Sequence, residues 1–556
     1  MTVISQNQFD VQEMVQRYEA LVQEPLNQQN LDVWVSRWSD LEKQVRETVN
    51  DAYFRKVQNV RDEDTEKFYA FLLEEVAPKA KAYSSKLAER FLEVNPEQPR
   101  YQQMLKNFRT EKQVRTPELI QLQAEIDPLA ATYDEITGKM MAVVDGVEMP
   151  GEEAWTLVFD QNRDTREKGW RAYYEMWKAH RTELGELLLT LVQKRRHMAK
   201  VGGFSDYRAY CWAELNRTDY TPADTQKLQQ GILQQVTPLA KAVRQKQAER
   251  LGLQSLRPWD LNVEEGESLK PFQTTQQLLD LTANALREVS ADWFRVFDGY
   301  RTRRPDLIDI ETRADKGTGG FCEFLYQQGY PHIFMSLMGR HDDLTGFFHE
   351  TGHALHFLLT DRKQDLYWHN NVPMEFNETM AMTMELLPLE HLAKIGVYSE
   401  GQLQTAVQAS LEQSVQLLPR LVVYDAFQHW LYTEAPEDLT IDMLDEKWLG
   451  LWQAYIPDVD HSGLEDFIAL GWSRVVHLYL YPFYMIEYVM AQVYAWQVWS
   501  AYLQEPEATV QKLTEGMELG ATVSLPELIR TIGQSFPVDE GQLSDAIANV
   551  REKIFG

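Results

Sequence analysis

Through most of this chain apolar residues recur every three or four positions, the period of helices that bury one face. Toward the N-terminus VQEMVQRYEALVQEPL, LDVWVSRWSDLEKQVRETVNDAYF and TEKFYAFLLEEVAPKAKAYSSKLAERFL all carry that period. EMPGEEAWTLVFD interrupts it at Pro150–Gly151, which predicts a loop before a further helix near Thr165. Helical spacing returns over Arg166–Lys200 and stops at Gly202–Gly203. It appears again near Thr221–Leu251 and in QTTQQLLDLTANALREV, and the polar tract LRPWDLNVEEGESLKPF separates those two.

The pattern changes once. RPDLIDIETRADKGTGGFCEFLYQQGYPHIFMSLMG holds two short β-prone runs, LIDI and HIFMSL, between glycine-rich turns. It predicts a small sheet, after which helical spacing continues to the end. No internal repeat or low-complexity segment is present. The fold class read from this pattern is mainly α, with a small sheet just ahead of a histidine-rich stretch.

Length and composition narrow the picture. A chain of 556 residues exceeds a single simple core, so several domains or one multi-lobed body are expected. Acidic side chains number 84 against 55 basic ones, a net charge of −29 that repels phosphate backbones. The basic clusters KRRH (Lys194–His197) and RTRR (Arg301–Arg304) are short and read as solvated faces or turns. Cys211 and Cys322 stand in no metal or redox spacing and read as reduced thiols. The N-terminal MTVISQNQFDVQEMVQRY lacks the basic and apolar regions of a secretory signal. VVHLYLYPFYMIEYVMAQVYAWQVW is the most apolar stretch, but His477, Glu487 and Gln492 mark it as a buried helix rather than a membrane span. A soluble cytoplasmic protein without nucleic-acid or membrane partners is the expectation.

The chemistry concentrates in FFHETGHALHF, Phe347–Phe357. On a helix His349 and His353 lie one turn apart on one face, so both imidazoles can reach one ion, and Zn²⁺ suits nitrogen donors with a position left for water. Glu350, beside the first histidine, is placed to take a proton from that water as general base. The downstream glycine and histidine of a metzincin are missing, with Phe357 and Leu359 in that region. His356 projects away from the shared ion, so it reads as a supporting or substrate-facing group rather than a ligand. The following helix, PMEFNETMAMTMELL, offers Glu375, Glu378 and Glu385 as a third ligand. Glu378 and Glu385 share a face two turns apart, so one can ligate while the other supports the site. Glu375 sits at the helix start, where N-terminal capping accounts for it.

HETGHALH followed by ETMAMTME resembles the oligoendopeptidase F and thimet oligopeptidase family of zinc peptidases. GTGGFCEFL, PHIFMSLMG and HLYLYPFYMIEY extend the likeness over about Arg166 to Tyr494, while the first 165 residues fit only as generic helices. The resemblance implies a catalytic region at 166–556 behind an N-terminal helical region at 1–165. It also implies a two-lobed helical body around a deep substrate channel. It makes Glu378 the third ligand of a single zinc ion, with Glu385 and His356 in support. It makes the Gly317–Gly320 loop and PHIFMSL strand substrate-binding elements, through Gly319, Gly320, Phe334, Met335 and Ser336. Oxyanion donors then fall on His477 and on Tyr488, Tyr484 or Tyr481; Tyr479 and Tyr494 read as core. The family pattern has two adjacent tyrosines after Pro-Phe, whereas here Tyr484 precedes Met485.

The implied activity is zinc-dependent endopeptidase cleavage of short oligopeptides by a monomer or simple homo-oligomer. One alternative is a dipeptidyl- or carboxypeptidase, for which Arg340 or Arg474 could bind a substrate C-terminus. The other is a non-catalytic helical peptide-binding protein.

Overall fold

A computed structural model describes residues 9–263 and 269–556. The first eight residues, part of the stretch read against a secretory signal, and 264–268 within the polar tract lie outside the described residues. The chain forms two compact units, each built from three segments. The first takes in the described parts of Met1–Lys112, Leu269–Val407 and Ala491–Phe536; the second, those of Gln113–Ser268, Gln408–Met490 and Pro537–Gly556. Helices dominate both, as the apolar period requires.

In the first unit the long helix α1 (Leu31–Gln58) buries Leu31, Trp34, Val35, Trp38, Leu41 and Val45 along one stripe. Each fully buried apolar side chain of this kind contributes about 1.5–3 kcal/mol. The far end of α1 reaches the small sheet. Asn50 donates to the Phe324 carbonyl at 3.3 Å, and Gln58 donates to Asp309 Oδ2 at 3.0 Å.

That sheet has three strands, β1 (Ile308–Asp309), β2 (Phe321–Leu325) and β3 (Tyr330–Phe334), in the order β1-β3-β2. β1 runs parallel to β3 and β2 antiparallel to it, with Phe321 opposite Phe334. LIDI thus encloses one strand, HIFMSL overlaps only the last three residues of another, and GGFCEFL supplies the third. HIFMSL leaves the ladder after Phe334, although Met335 N–H still donates to the Asp309 carbonyl at 3.0 Å. Lys316 donates to the Asp309 and Glu311 carbonyls at 3.0 Å and also bonds the Met335 carbonyl, so one ammonium ties the glycine-rich loop to the end of β3.

Helices α2 (His341–Asp361) and α3 (Met374–Leu386) follow the sheet and pack on each other. Gly352 makes their approach possible: a Cβ there would lie 2.8 Å from Ala381 Cα. The glycine inside HETGHALH therefore brings Glu378 within reach of the histidine face.

In the second unit the segment expected as a loop at Pro150–Gly151 is instead the end of a hairpin, Met141–Val144 paired with Val147–Pro150. Asp145 (φ 51°) and Gly146 (φ 83°) turn it, the left-handed pair that an Asp-Gly turn supplies. KRRH is not a solvated face. Arg195 is buried and donates to the Leu478 carbonyl at 2.7 Å and to the Tyr479 carbonyl. Arg196 bonds three carbonyls from Leu431 to Pro436. In RTRR, Arg301 pairs with Asp280 and Asp298, and Arg304 with Asp306. Among the described residues, no helix is long and apolar enough to cross a membrane.

Candidate metal centre

Helix α2 carries His349 and His353 one turn apart, and α3 brings Glu378 against them. His349 Nε2 lies 3.4 Å from Glu378 Oε2, and His353 Nε2 lies 3.9 Å from Glu378 Oε1. One ligand atom from each of the three side chains lies within 4.8 Å of the others. Donors about 2.1 Å from a tetrahedral zinc stand about 3.4 Å apart, so small side-chain adjustments complete such a site.

The chemistry of the donors fits a divalent cation. Glu350 Oε2 and Glu378 Oε2 are buried and accept no hydrogen bond from the protein. Buried carboxylate oxygens without a donor or cation are costly. Burial pushes the Glu350 carboxyl up to about 7, against the downward pull of His349. Burial also raises the Glu378 carboxyl and pulls the His353 imidazole well below its usual range. Two imidazole nitrogens and one carboxylate form a set that favours Zn²⁺.

Glu385 lies two turns beyond Glu378, and its Oε1 sits 2.7 Å from His349 Nδ1. Burial disfavours the charged ring, yet this bond and the Glu385 charge hold His349 up to about 9. A proton kept on Nδ1 by Glu385 leaves Nε2 free to bind metal. Glu385→Gln is expected to weaken zinc affinity about 10–100-fold. Competition against a calibrated chelator measures it, and an unchanged affinity would refute that role.

His356 stands outside the cluster. It is buried, its Nδ1 is 3.1 Å from Asn377 Oδ1, and its ring meets Phe376 edge-on at 5.5 Å. Burial holds its imidazole down at about 4. Glu375 is buried in the first turn of α3, where an acidic side chain complements the helix N-terminus, and the N-cap position itself belongs to Pro373.

Of the residues expected to meet substrate, Gly320 lies beside the base. A Cβ there would stand 3.6 Å from Glu350 Oε1 and from the Phe334 carbonyl. Gly319 adopts φ 96° with open space around it, a conformation suited to glycine. Phe334 has a fully buried ring stacked on Phe321 at 5.2 Å, and its backbone lies in the middle strand between Asp309 and Phe321, so it does not face a ligand. Met335 and Ser336 continue the chain beyond β3. Cys322, unassigned in the sequence, is a free thiol raised by burial and by the Glu350 charge. Strand pairing brings it there, and no spacing rule would have found it.

The expected oxyanion donors belong to the second unit and form a cluster of their own. His477 sits in the short helix Val476–Tyr479; its ring stacks on Tyr484 at 5.7 Å and lies 6.0 Å from Tyr481. Tyr484 meets Tyr488 edge-on at 5.4 Å. Burial lowers the His477 imidazole to about 4, so the ring is neutral at physiological pH. Two buried arginines hold this segment. Arg195 bonds carbonyls at the end of the short helix, and Arg217 bonds the Phe483 carbonyl at 2.7 Å and Glu487 at 2.6 Å. Phe483 itself has φ 63°, a strained value that these contacts maintain. Tyr479 and Tyr494 are core residues whose hydroxyls donate to the Leu184 and Ser535 carbonyls. Arg340 is the N-cap of α2, its N–H 2.9 Å from Asp343 Oδ2.

The model of peptidase family M3 matches residues 156–546 of this sequence. The chain belongs to peptidase family M3. Among its curated relatives, oligopeptidase PepF of Bacillus subtilis (strain 168) is 22% identical over 378 residues, 67% of this chain and 54% of the relative. Group B oligopeptidase PepB of Streptococcus agalactiae serotype III (strain NEM316) is 20% identical over 346 residues, 62% of this chain and 55% of the relative. In these alignments the M3 chain thus spans about half the length of the curated relatives it matches. A structure of PZ peptidase A with inhibitor 2 superposes with a TM-score of 0.87 at 20% identity, covering 98% of this chain and 97% of that one. One of a putative oligoendopeptidase F from Bacillus anthracis str. Ames gives 0.83 at 19% identity, covering 100% and 98%. These likenesses establish the mainly helical fold with small sheets.

Proposed function

We propose that this M3 chain is a zinc-dependent oligopeptidase that hydrolyses internal bonds of short peptides. The convergence of His349, His353 and Glu378 beside the buried Glu350 carboxylate carries this reading. The oligopeptidase names of the curated relatives support the substrate class.

His349 and His353 would hold the metal through Nε2 and Glu378 through a carboxylate oxygen, with Glu385 fixing the His349 ring. Bound there, Zn²⁺ supplies a Lewis acid for the peptide carbonyl and acidifies water. Glu350 then accepts the proton of the attacking water and returns it to the departing amine nitrogen as the C–N bond breaks. The oxyanion-donor roles of His477 and Tyr488, with Tyr484 and Tyr481 as the other candidates, rest on the family resemblance. A neutral imidazole or phenol serves such a role well, because it stabilises charge that develops only in the transition state. Main chain around Gly320, at the start of the edge strand β2 and beside Glu350, is the proposed seat for the peptide backbone.

Digestion of a defined mixture of short peptides, read by mass spectrometry, tests the function. Internal cuts lost on chelation and restored by zinc are expected. Exclusive release of terminal residues or dipeptides would replace the endopeptidase reading, and absence of cleavage would overturn it.

A further inference from the structure

Within the second unit a cavity of about 280 Å³ is lined by Tyr174, Tyr424, Trp448, Trp452, Arg474 and His477, among others. Tyr424 stacks on Trp448 at 5.5 Å and Trp448 on Trp452 at 6.3 Å, so one wall is a row of aromatic faces. Among the described residues no Asp or Glu lines the cavity, in a chain of net charge −29.

Its cation has no counter-charge. The Arg474 guanidinium lies 4.5 Å from the Tyr174 ring, 4.9 Å from that of Tyr173 and 5.4 Å from that of Trp155. It hydrogen-bonds the Tyr174 hydroxyl and Tyr173. Among the described residues it has no ion pair, and its Nε is buried without a hydrogen-bond partner. The buried arginines of this unit, by contrast, have carboxylate or carbonyl partners: Arg166 and Arg244 pair with aspartates, Arg217 with Glu487, and Arg195 bonds carbonyls. Trp448 adds another buried N–H without a partner. A Cβ at Gly471 would stand 2.4 Å from that nitrogen, so the glycine keeps room for the indole.

A half-buried arginine with no acid partner and one unpartnered donor, beside aromatic walls, suits a carboxylate. The guanidinium fork supplies parallel donors, and the rings receive the apolar stem that carries the acid. We propose that this cavity is a binding site for a peptide carboxylate. It takes an acidic group of the peptide, either the C-terminal carboxylate or an Asp or Glu side chain. His477 lines the same cavity, and this inference rests on the peptidase reading of the chain.

Binding, rather than turnover, tests it without depending on cleavage. An octapeptide free of acidic side chains, labelled at its N-terminus with a neutral dye, is prepared as free acid, as amide, and as amides with Glu placed at successive positions. Anisotropy with zinc-loaded Glu350→Gln protein measures each Kd. The acid, or one of the Glu-bearing amides, is expected to bind about tenfold or more tightly than the plain amide. The first result assigns the C-terminal carboxylate and the second an acidic side chain. Arg474→Gln is expected to erase the difference while the plain amide keeps its Kd. Equal Kd values for every peptide on the parent site would overturn the subsite, and that comparison needs no arginine variant to fold. A preserved carboxylate preference in a wild-type protein that cleaves nothing would instead support the subsite and overturn only the peptidase reading.

Discussion

Replacing Glu350 by Gln lowers kcat for peptide hydrolysis by about 10²–10⁴-fold, the range for loss of a general base, and leaves zinc bound. Glu350 is buried at 8% exposure, and Gly320 lets the backbone approach to where a Cβ would be 3.6 Å from its Oε1. A desolvated carboxyl pushed up to about 7 is matched to moving protons near neutral pH. Glutamine keeps the size and shape of the side chain but accepts no proton. The convergent ligand atoms belong to His349, His353 and Glu378, so the metal should stay. Elemental analysis with initial rates on a quenched fluorescent peptide checks both halves. Cleavage at the parent rate would exclude Glu350 as the base.

Removing the proposed third ligand should have the larger structural effect. Glu378→Ala is expected to lower zinc affinity by more than the about 10–100-fold assigned to Glu385→Gln, with hydrolysis falling in parallel. Both histidine Nε2 atoms face the Glu378 carboxylate, at 3.4 and 3.9 Å. Without it, two imidazoles alone must hold the ion. The same variant loses linkage stabilisation. A site at a thousandfold excess of free zinc over Kd gains about 4.1 kcal/mol, which appears as a raised Tm. Thermal melts with and without zinc should therefore separate for the parent protein and separate much less for Glu378→Ala. A variant with the parent's zinc-dependent shift would remove Glu378 from the ligand set.

Much of the site was legible because its logic is helical. His349 and His353 are related by one turn and Glu378 and Glu385 by two, and the helices bear those relations out. The choice among Glu375, Glu378 and Glu385 was not legible from spacing, since it depends on how α2 and α3 cross. Gly352 governs that crossing through a backbone contact that no sequence period encodes. Gly320 and Cys322 reach Glu350 through strand pairing, which joins residues far apart in sequence. The Met141–Pro150 hairpin did leave a signal, Asp145–Gly146 between valines, but its strands are only four residues each. KRRH misled for a related reason: charge runs are usually solvated, and Arg195 is buried because carbonyls at the end of a distant short helix need donors.

The central claim is that one zinc ion at His349, His353 and Glu378 is required for peptide hydrolysis. Its most direct test is a titration of chelator-stripped protein with zinc while hydrolysis of a quenched peptide is followed. Activity should start near zero, rise in proportion to added zinc and saturate at one equivalent per chain. Full activity in the stripped, metal-free protein would contradict it.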